Sequence, residues 1–262
     1  MTGCTICPVG SWKKAGQKMS NRNLKPGRWL KKYTYFHIYD MLLLFLCYAI
    51  ILAMGSENRD MLAGRDRLGA VFDGIRNEEQ GFRLFDYIQW LLPVFLFLYI
   101  MGKSVIHDIF MDSAFKITRY KSMAEWHDSV WSRALATGCI YAIVVGVFLS
   151  FYMIMSTSLS PGKVVIGIGF YFLYLIFVNM FQVLLLLYVK KGELVFLILF
   201  AGILFSNVLG FFVPAVDKIC FFNWGMLVRG DYVTPGGYSS RIVGLIMLFF
   251  VCLGGRIGLK NK

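Results

Sequence analysis

The chain has few charged residues, only three histidines and only one closely spaced pair of cysteines. These shortages limit the classes of protein to which it can belong. Only 16% of its 262 residues are charged, whereas 58% are hydrophobic, against about 25% and about 45–50% in a soluble globular protein. The hydrophobic residues cluster in long runs, which excludes a disordered chain, a coiled coil and a secreted disulfide scaffold. Cys4 and Cys7 have ligand spacing, but their segment lacks the two further ligands of a zinc site. The sequence therefore predicts no metal site.

Six apolar runs are long enough for a transmembrane helix. A bilayer core of about 30 Å is crossed by roughly 20 helical residues. The sequence predicts an all-α integral membrane protein, with a disordered basic tail over residues 1–25 and a single six-helix domain over residues 26–262. The predicted spans are residues 35–54, 85–105, 134–155, 164–189, 194–213 and 241–259. The short connections between the third, fourth and fifth spans predict antiparallel neighbours.

The distribution of charge predicts which ends of the spans face the cytoplasm. With both termini inside, 18 of the 27 Lys and Arg residues and 6 of the 15 acidic residues lie on the inner side. The net charge of +12 is then entirely on the inner side, where Lys and Arg are retained during insertion. This charge faces anionic membrane lipid and predicts orientation, not nucleic-acid binding.

Residues 26–40 have the pattern of an amphipathic helix that lies in the headgroup region. Trp29, Tyr33 and Phe36 recur at helical spacing, and basic residues occupy the rest of the helix surface. An aromatic belt at the beginning of the first span is an equally good interpretation.

The connector between the second and third spans, residues 103–133, mixes aromatic residues with charges, a pattern typical of a protein interface. Ser122 and Glu125 have the spacing of a capping box, in which the serine hydroxyl accepts a hydrogen bond from the backbone N–H three residues later. We therefore expect a helix that begins at Ser122 and continues into the third span. Residues 108–120 then form a separate helical element on the inner surface, or an ordinary amphipathic connector.

The centres of the spans carry amides in place of ionisable groups, which argues against a proton- or sodium-coupled transporter. Asn179 and Gln182 share a face of the fourth span, and Asn207 lies on the fifth. These three residues either line a translocation path or form hydrogen bonds between helices. In the loop after the fifth span, Phe221, Phe222, Trp224 and Tyr232 predict a lipid anchor or a gate for an amphipathic substrate.

Six spans, two cytoplasmic termini, an amphipathic entry helix, a cytoplasmic helix between the second and third spans, and an aromatic loop after the fifth span together resemble the permease subunits of type-2 ATP-binding-cassette (ABC) exporters. The best local matches are residues 108–122 and 223–229. The resemblance implies a second permease subunit, of the same or a related chain, and two copies of a cytoplasmic ATPase subunit. ATP and Mg²⁺ bind to that ATPase, so this chain binds no cofactor itself and has no catalytic residue. The resemblance assigns the contact with the ATPase to a coupling helix that contains Asp108, Phe110, Asp112, Phe115, Lys116, Arg119 and Tyr120.

The expected function is export of an amphipathic or hydrophobic cargo, such as an antimicrobial peptide, a lipid or a drug, across the cell membrane of a bacterium. One alternative is a membrane scaffold or sensor that transports nothing. Another is an intramembrane enzyme, since Glu78, Glu79 and Arg83 resemble the first motif of the CAAX-type proteases. That family also needs histidine motifs, and neither His107 nor His127 has the required Phe four residues earlier.

Overall fold

The computed structural model describes residues 37–56, 72, 74, 84–111, 120, 122–156, 160–189, 191–227 and 235–260. Every secondary-structure element in these residues is helical, which confirms the predicted all-helical class for the described part of the chain. The α-helices are α1 (Ile38–Ser56), α2 (Leu84–Ile106), α3 (Met123–Ser156), α4 (Pro161–Val189), α5 (Gly192–Phe212), α6 (Pro214–Ile219) and α7 (Pro235–Lys260). A π-helical turn, His107–Met111, continues α2, and a 3₁₀ turn, Phe221–Asn223, follows α6.

Four of these helices are long and apolar enough to cross a membrane. They are Leu84–Ile109, Met123–Met155, Pro161–Val189 and Gly192–Phe212, and they coincide with the second to fifth predicted spans. The apolar parts of α1 and α7 are shorter, at Ile38–Ala53 and Arg241–Gly254. The chain is thus compatible with a membrane-embedded protein, whereas the count of six spans and the side of the termini stay predictions. The predicted tail and residues 26–36 lie outside the described residues.

Helix α4 is the centre of the packing. It contacts α2, α3, α5 and α7, and 61% of its most apolar stretch is buried, against 50% or less in the other three candidate spans. The sequence of α4 is apolar on all sides, as expected for a helix with neighbours all round.

The contacts between helices give their relative directions. On α3 and α4, Gly138 lies against Asn179 and Gly146 lies against Phe172, so the two helices are antiparallel, as their short connection predicts. Helices α2 and α5 are also antiparallel, through the contacts Tyr87–Asn207, Phe95–Phe200 and Ile106–Gly192.

Helix α3 begins where the capping box predicts. The backbone N–H of Glu125 donates to the hydroxyl oxygen of Ser122 at 3.2 Å, and the N–H of Trp126 donates to the Ser122 carbonyl at 3.2 Å. The helix then continues without a break for 34 residues. The end of the connector and the third predicted span are therefore one rigid rod.

Candidate functional site

A buried ion pair ties the end of α2 to the beginning of α3. Asp108, in the π-helical turn, is only 2% exposed. Its carboxylate accepts hydrogen bonds from both terminal nitrogens of Arg133, Nη1 at 3.4 Å and Nη2 more closely. The Arg133 Nε also donates to the carbonyl of Ser129 at 3.3 Å. Two-point contact of a guanidinium with a carboxylate fixes orientation as well as distance, so this pair holds the two helices in one arrangement.

Apolar side chains at the same end of the bundle also pack α2 against α3. They include Val105 and Ile109 of α2 and Trp126, Val130 and Trp131 of α3, all buried in one cluster. The phenol oxygen of Tyr120 is 2.8 Å from the Ser129 hydroxyl. Tyr120, which precedes the first residue of α3 by three positions, is therefore also attached to α3. We call this part of the molecule the inner end, after the orientation that the charge distribution predicts.

The structure describes only part of the predicted contact with an ATPase. Residues 112–119, which include Asp112, Phe115, Lys116 and Arg119, lie outside the described residues, as does the side chain of Phe110. Asp108 is bound to Arg133 and Tyr120 to Ser129, so both have partners within the chain. The contact with an ATPase stays a prediction for all seven.

Sequence reasoning missed Arg133 as the partner of Asp108. The two residues are 25 positions apart, and the available signal was an acid and a base at opposite ends of one connector. Several other acids and bases lie between them, so charge alone did not select this pair.

Two of the three predicted interior amides form hydrogen bonds between helices. Gln182 Nε2 donates to the carbonyl of Leu98 on α2 at 3.1 Å. Gly102 leaves the space for it, since a Cβ at that position would lie 2.4 Å from the Gln182 amide nitrogen. Asn207 Nδ2 lies 3.5 Å from the hydroxyl oxygen of Tyr87. For Gln182 and Asn207 the structure therefore shows hydrogen bonds between helices, which was one of the two predicted roles.

Asn179 differs from both of them. It is fully buried, and neither atom of its amide has a hydrogen-bond partner in the described part of the protein. Its nitrogen faces Gly138 on α3, at 3.6 Å from the position that a Cβ there would take. Asn179 therefore lies on the seam between α3 and α4 without an interhelical hydrogen bond.

At the end of the bundle opposite the Asp108–Arg133 pair, residues Phe221–Leu227 fold back between the helices. We call these residues the re-entrant segment. The indole nitrogen of Trp90 donates to the carbonyl of Gly225 at 3.3 Å. Trp90 is six residues after the start of α2, which places this contact about 9 Å below the helix end. Irregular backbone is tolerated at such depth only when protein groups satisfy it.

Groups of three further helices form hydrogen bonds with the re-entrant segment, two of them through side chains and one through a backbone carbonyl. Tyr174 of α4 donates its hydroxyl to the Phe222 carbonyl at 2.9 Å. Arg241 of α7 donates to the carbonyls of Trp224 at 3.4 Å and Met226 at 3.2 Å. In the other direction, the amide nitrogen of Asn223 donates to the Ser206 carbonyl of α5 at 3.0 Å. The segment is therefore attached to α2, α4, α5 and α7 together.

Close packing at two glycines lets the re-entrant segment fit. A Cβ on Gly225 would lie 2.3 Å from the ring of Tyr174, and a Cβ on Gly244 of α7 would lie 2.0 Å from the ring of Trp224. Asp217, before the segment, also lies 3.8 Å from the Arg241 guanidinium. The backbone of this segment is held by protein groups, whereas the side chains of Phe221, Phe222 and Trp224 are only half-buried, so the lipid anchor and the gate both stay predictions.

Two described residues before α2, Phe72 and Gly74, lie at the same end of the bundle. Phe72 is fully buried and meets the ring of Tyr171 edge-on, with ring centroids 5.1 Å apart. Gly74 has a φ of 70°, which favours glycine, and packs against Met226 of the re-entrant segment. Phe72 and Gly74 thus pack against α4 and the re-entrant segment.

Among the described residues, no three His, Cys, Asp or Glu side chains come together as metal ligands. The arrangement offers an ion pair that joins α2 to α3, a seam with an unpartnered amide, and a re-entrant segment held by hydrogen bonds to several helices. No family model, curated protein or solved structure matches the chain. Function is therefore inferred from these side chains.

Proposed function

We propose that the chain is the membrane-spanning permease subunit of an ABC exporter in the cell membrane of a bacterium. It crosses the membrane six times, with both termini in the cytoplasm. It moves an amphipathic or hydrophobic cargo, such as an antimicrobial peptide, a lipid or a drug. Two copies of a separate ATPase subunit hydrolyse ATP, and a second permease subunit, of the same or a related chain, completes the path.

The observation that carries this proposal is the tie between α2 and α3 at the inner end. Residues 112–119 are joined at one side to Asp108 and at the other to Tyr120, and both are bound to α3. A force applied to the connector therefore reaches both helices, because Arg133 prevents α2 from moving independently of α3. This is the mechanical property that an ATP-driven permease needs at its contact with the ATPase.

The interior supports a neutral or apolar cargo. Asn179, Gln182 and Asn207 are uncharged, and α4 is apolar around them. A path for metal ions or protons would need charged or ligating groups at this depth.

The test is co-expression with a candidate ABC ATPase subunit. We expect Phe115→Ala and Arg119→Glu to abolish cargo-stimulated ATP hydrolysis and transport in vesicles while the chain still inserts in the membrane. Arg65→Glu, the same charge change in the predicted outer loop, is the matched control and should leave both intact. Normal transport and normal co-purification of the ATPase in both connector variants would overturn the assignment of the connector as the ATPase contact, whereas a wild-type chain that neither binds the ATPase nor transports cargo would favour a membrane scaffold.

A further inference from the structure

The three interior amides have the same chemistry but different surroundings. Gln182 and Asn207 each have a polar group of another helix within hydrogen-bond distance. Asn179 is as deeply buried as they are, yet both its donor and its acceptor are unpartnered among the described residues. Asn179 is about one turn of α4 away from Gln182. The two residues thus lie on the same helix and are both buried, but only Gln182 forms a hydrogen bond with another helix.

An unpartnered buried amide destabilises a fold, because the group has lost its hydrogen bonds with water and gained none in return. Leucine is of similar size and would remove this penalty at position 179. The other residues of the α4 face near Gly138 are apolar, including Ile176, so nothing else in the packing needs a polar group there. Such a residue is typical of a functional position.

We propose that Asn179 binds the cargo, through a hydrogen-bond pair with a neutral group that both donates and accepts, such as a peptide amide. The site is the seam between α3 and α4, and it opens when the two helices separate at Gly138. This proposal rests on the proposed function, since it names the chemical class of the cargo. An uncharged ligand fits because an amide has no charge to offset that of an ion in an apolar interior.

The first experiment measures the thermal unfolding midpoint of the purified full-length chain in detergent, without an ATPase. We expect Asn179→Leu to raise the midpoint by about 2 to 4 °C, because it removes an unpartnered amide. The matched controls Gln182→Leu and Asn207→Leu remove amides whose nitrogen donates to another helix, and they should lower it. If Asn179→Leu lowers the midpoint as the controls do, the amide already has a partner in the resting protein, such as an internal water molecule, and the proposal is overturned.

The second experiment uses two neutral probes of similar size, octanamide and methyl octanoate. The amide both donates and accepts, whereas the ester only accepts. We expect octanamide to raise the midpoint of the wild-type chain more than the ester does, and this difference to disappear in Asn179→Leu. Equal shifts in the wild type would overturn the proposal whether or not the variant folds.

The proposed function is tested in a separate experiment from the amide site. Neither measurement contains an ATPase, so failure to co-purify an ATPase removes the transporter assignment while the amide site is judged on the midpoints alone.

Discussion

The two ends of the helix bundle are held together in different ways. At the inner end, one pair of side chains, Asp108 and Arg133, joins two helices. At the opposite end, side chains of α2, α4 and α7 donate to backbone carbonyls of the re-entrant segment. Regular helices satisfy their own backbone, so a contact between them needs only side chains. An irregular segment inside the bundle needs a donor for each exposed carbonyl.

This difference has a consequence for how each end responds to mutation. The inner end buries two opposite charges against each other, so removal of one charge leaves the other charge buried. The opposite end distributes its hydrogen bonds over several helices, so the loss of any one leaves the others in place. We therefore expect one large effect at the inner end and smaller, separable effects at the opposite end.

The largest expected effect is that of Arg133→Met. The change leaves the carboxylate of Asp108 buried without its cation, and we expect the free energy of unfolding to fall by about 3 to 5 kcal/mol, measured in detergent. The double variant Asp108→Arg with Arg133→Asp restores opposite charges and should recover part of this loss. If the double variant is less stable than Arg133→Met, the ion pair is not what joins α2 to α3.

A smaller effect is expected for Arg241→Gln. It removes the charged donor to the carbonyls of Trp224 and Met226, and we expect a loss of about 2 kcal/mol. Reaction of a cysteine placed at Met226 with a membrane-impermeant maleimide should rise in this variant, since the re-entrant segment loosens. Unchanged labelling would show that the segment does not depend on Arg241.

The third effect compares two glycines on the same helix. A Cβ at Gly244 would overlap the ring of Trp224, whereas no atom lies within 4 Å of the same position at Gly254. We expect Gly244→Ala to lower the free energy of unfolding by about 1 to 2 kcal/mol through overpacking. Gly254→Ala should be neutral or stabilising, since alanine favours helix. Equal effects of the two changes would contradict the close fit of the re-entrant segment against α7.

The smallest effect is expected at the cap of α3. Ser122→Ala removes the acceptor for the Glu125 N–H, and we expect a loss of about 0.5 to 1 kcal/mol. Hydrogen exchange at Glu125 should become faster while exchange near Arg133 is unchanged. Ser122→Asn retains a capping oxygen and serves as the control, and faster exchange in that variant as well would contradict the capping role.

Local sequence signals were sufficient for much of the fold. Apolar runs located the helices because the length and composition of a membrane-crossing helix are properties of one segment. The Ser122–Glu125 spacing gave the beginning of α3, because a cap involves only neighbouring residues. The same reasoning did not find the burial of Phe72 or of Asn223, since each depends on contacts with helices far along the chain.

The functional residues likewise have some properties that the sequence predicts and others that depend on tertiary contacts. The sequence alone determined that the deep polar groups are amides, that the chain is helical and apolar enough for a membrane, and that positive charge is concentrated in a few segments. Only the tertiary structure decided that Gln182 donates a hydrogen bond to the Leu98 carbonyl, while Asn179 faces Gly138 and has no hydrogen-bond partner among the described residues. The physical reason is that helical periodicity fixes the face a side chain occupies, whereas its bonding depends on which atoms of another helix approach that face.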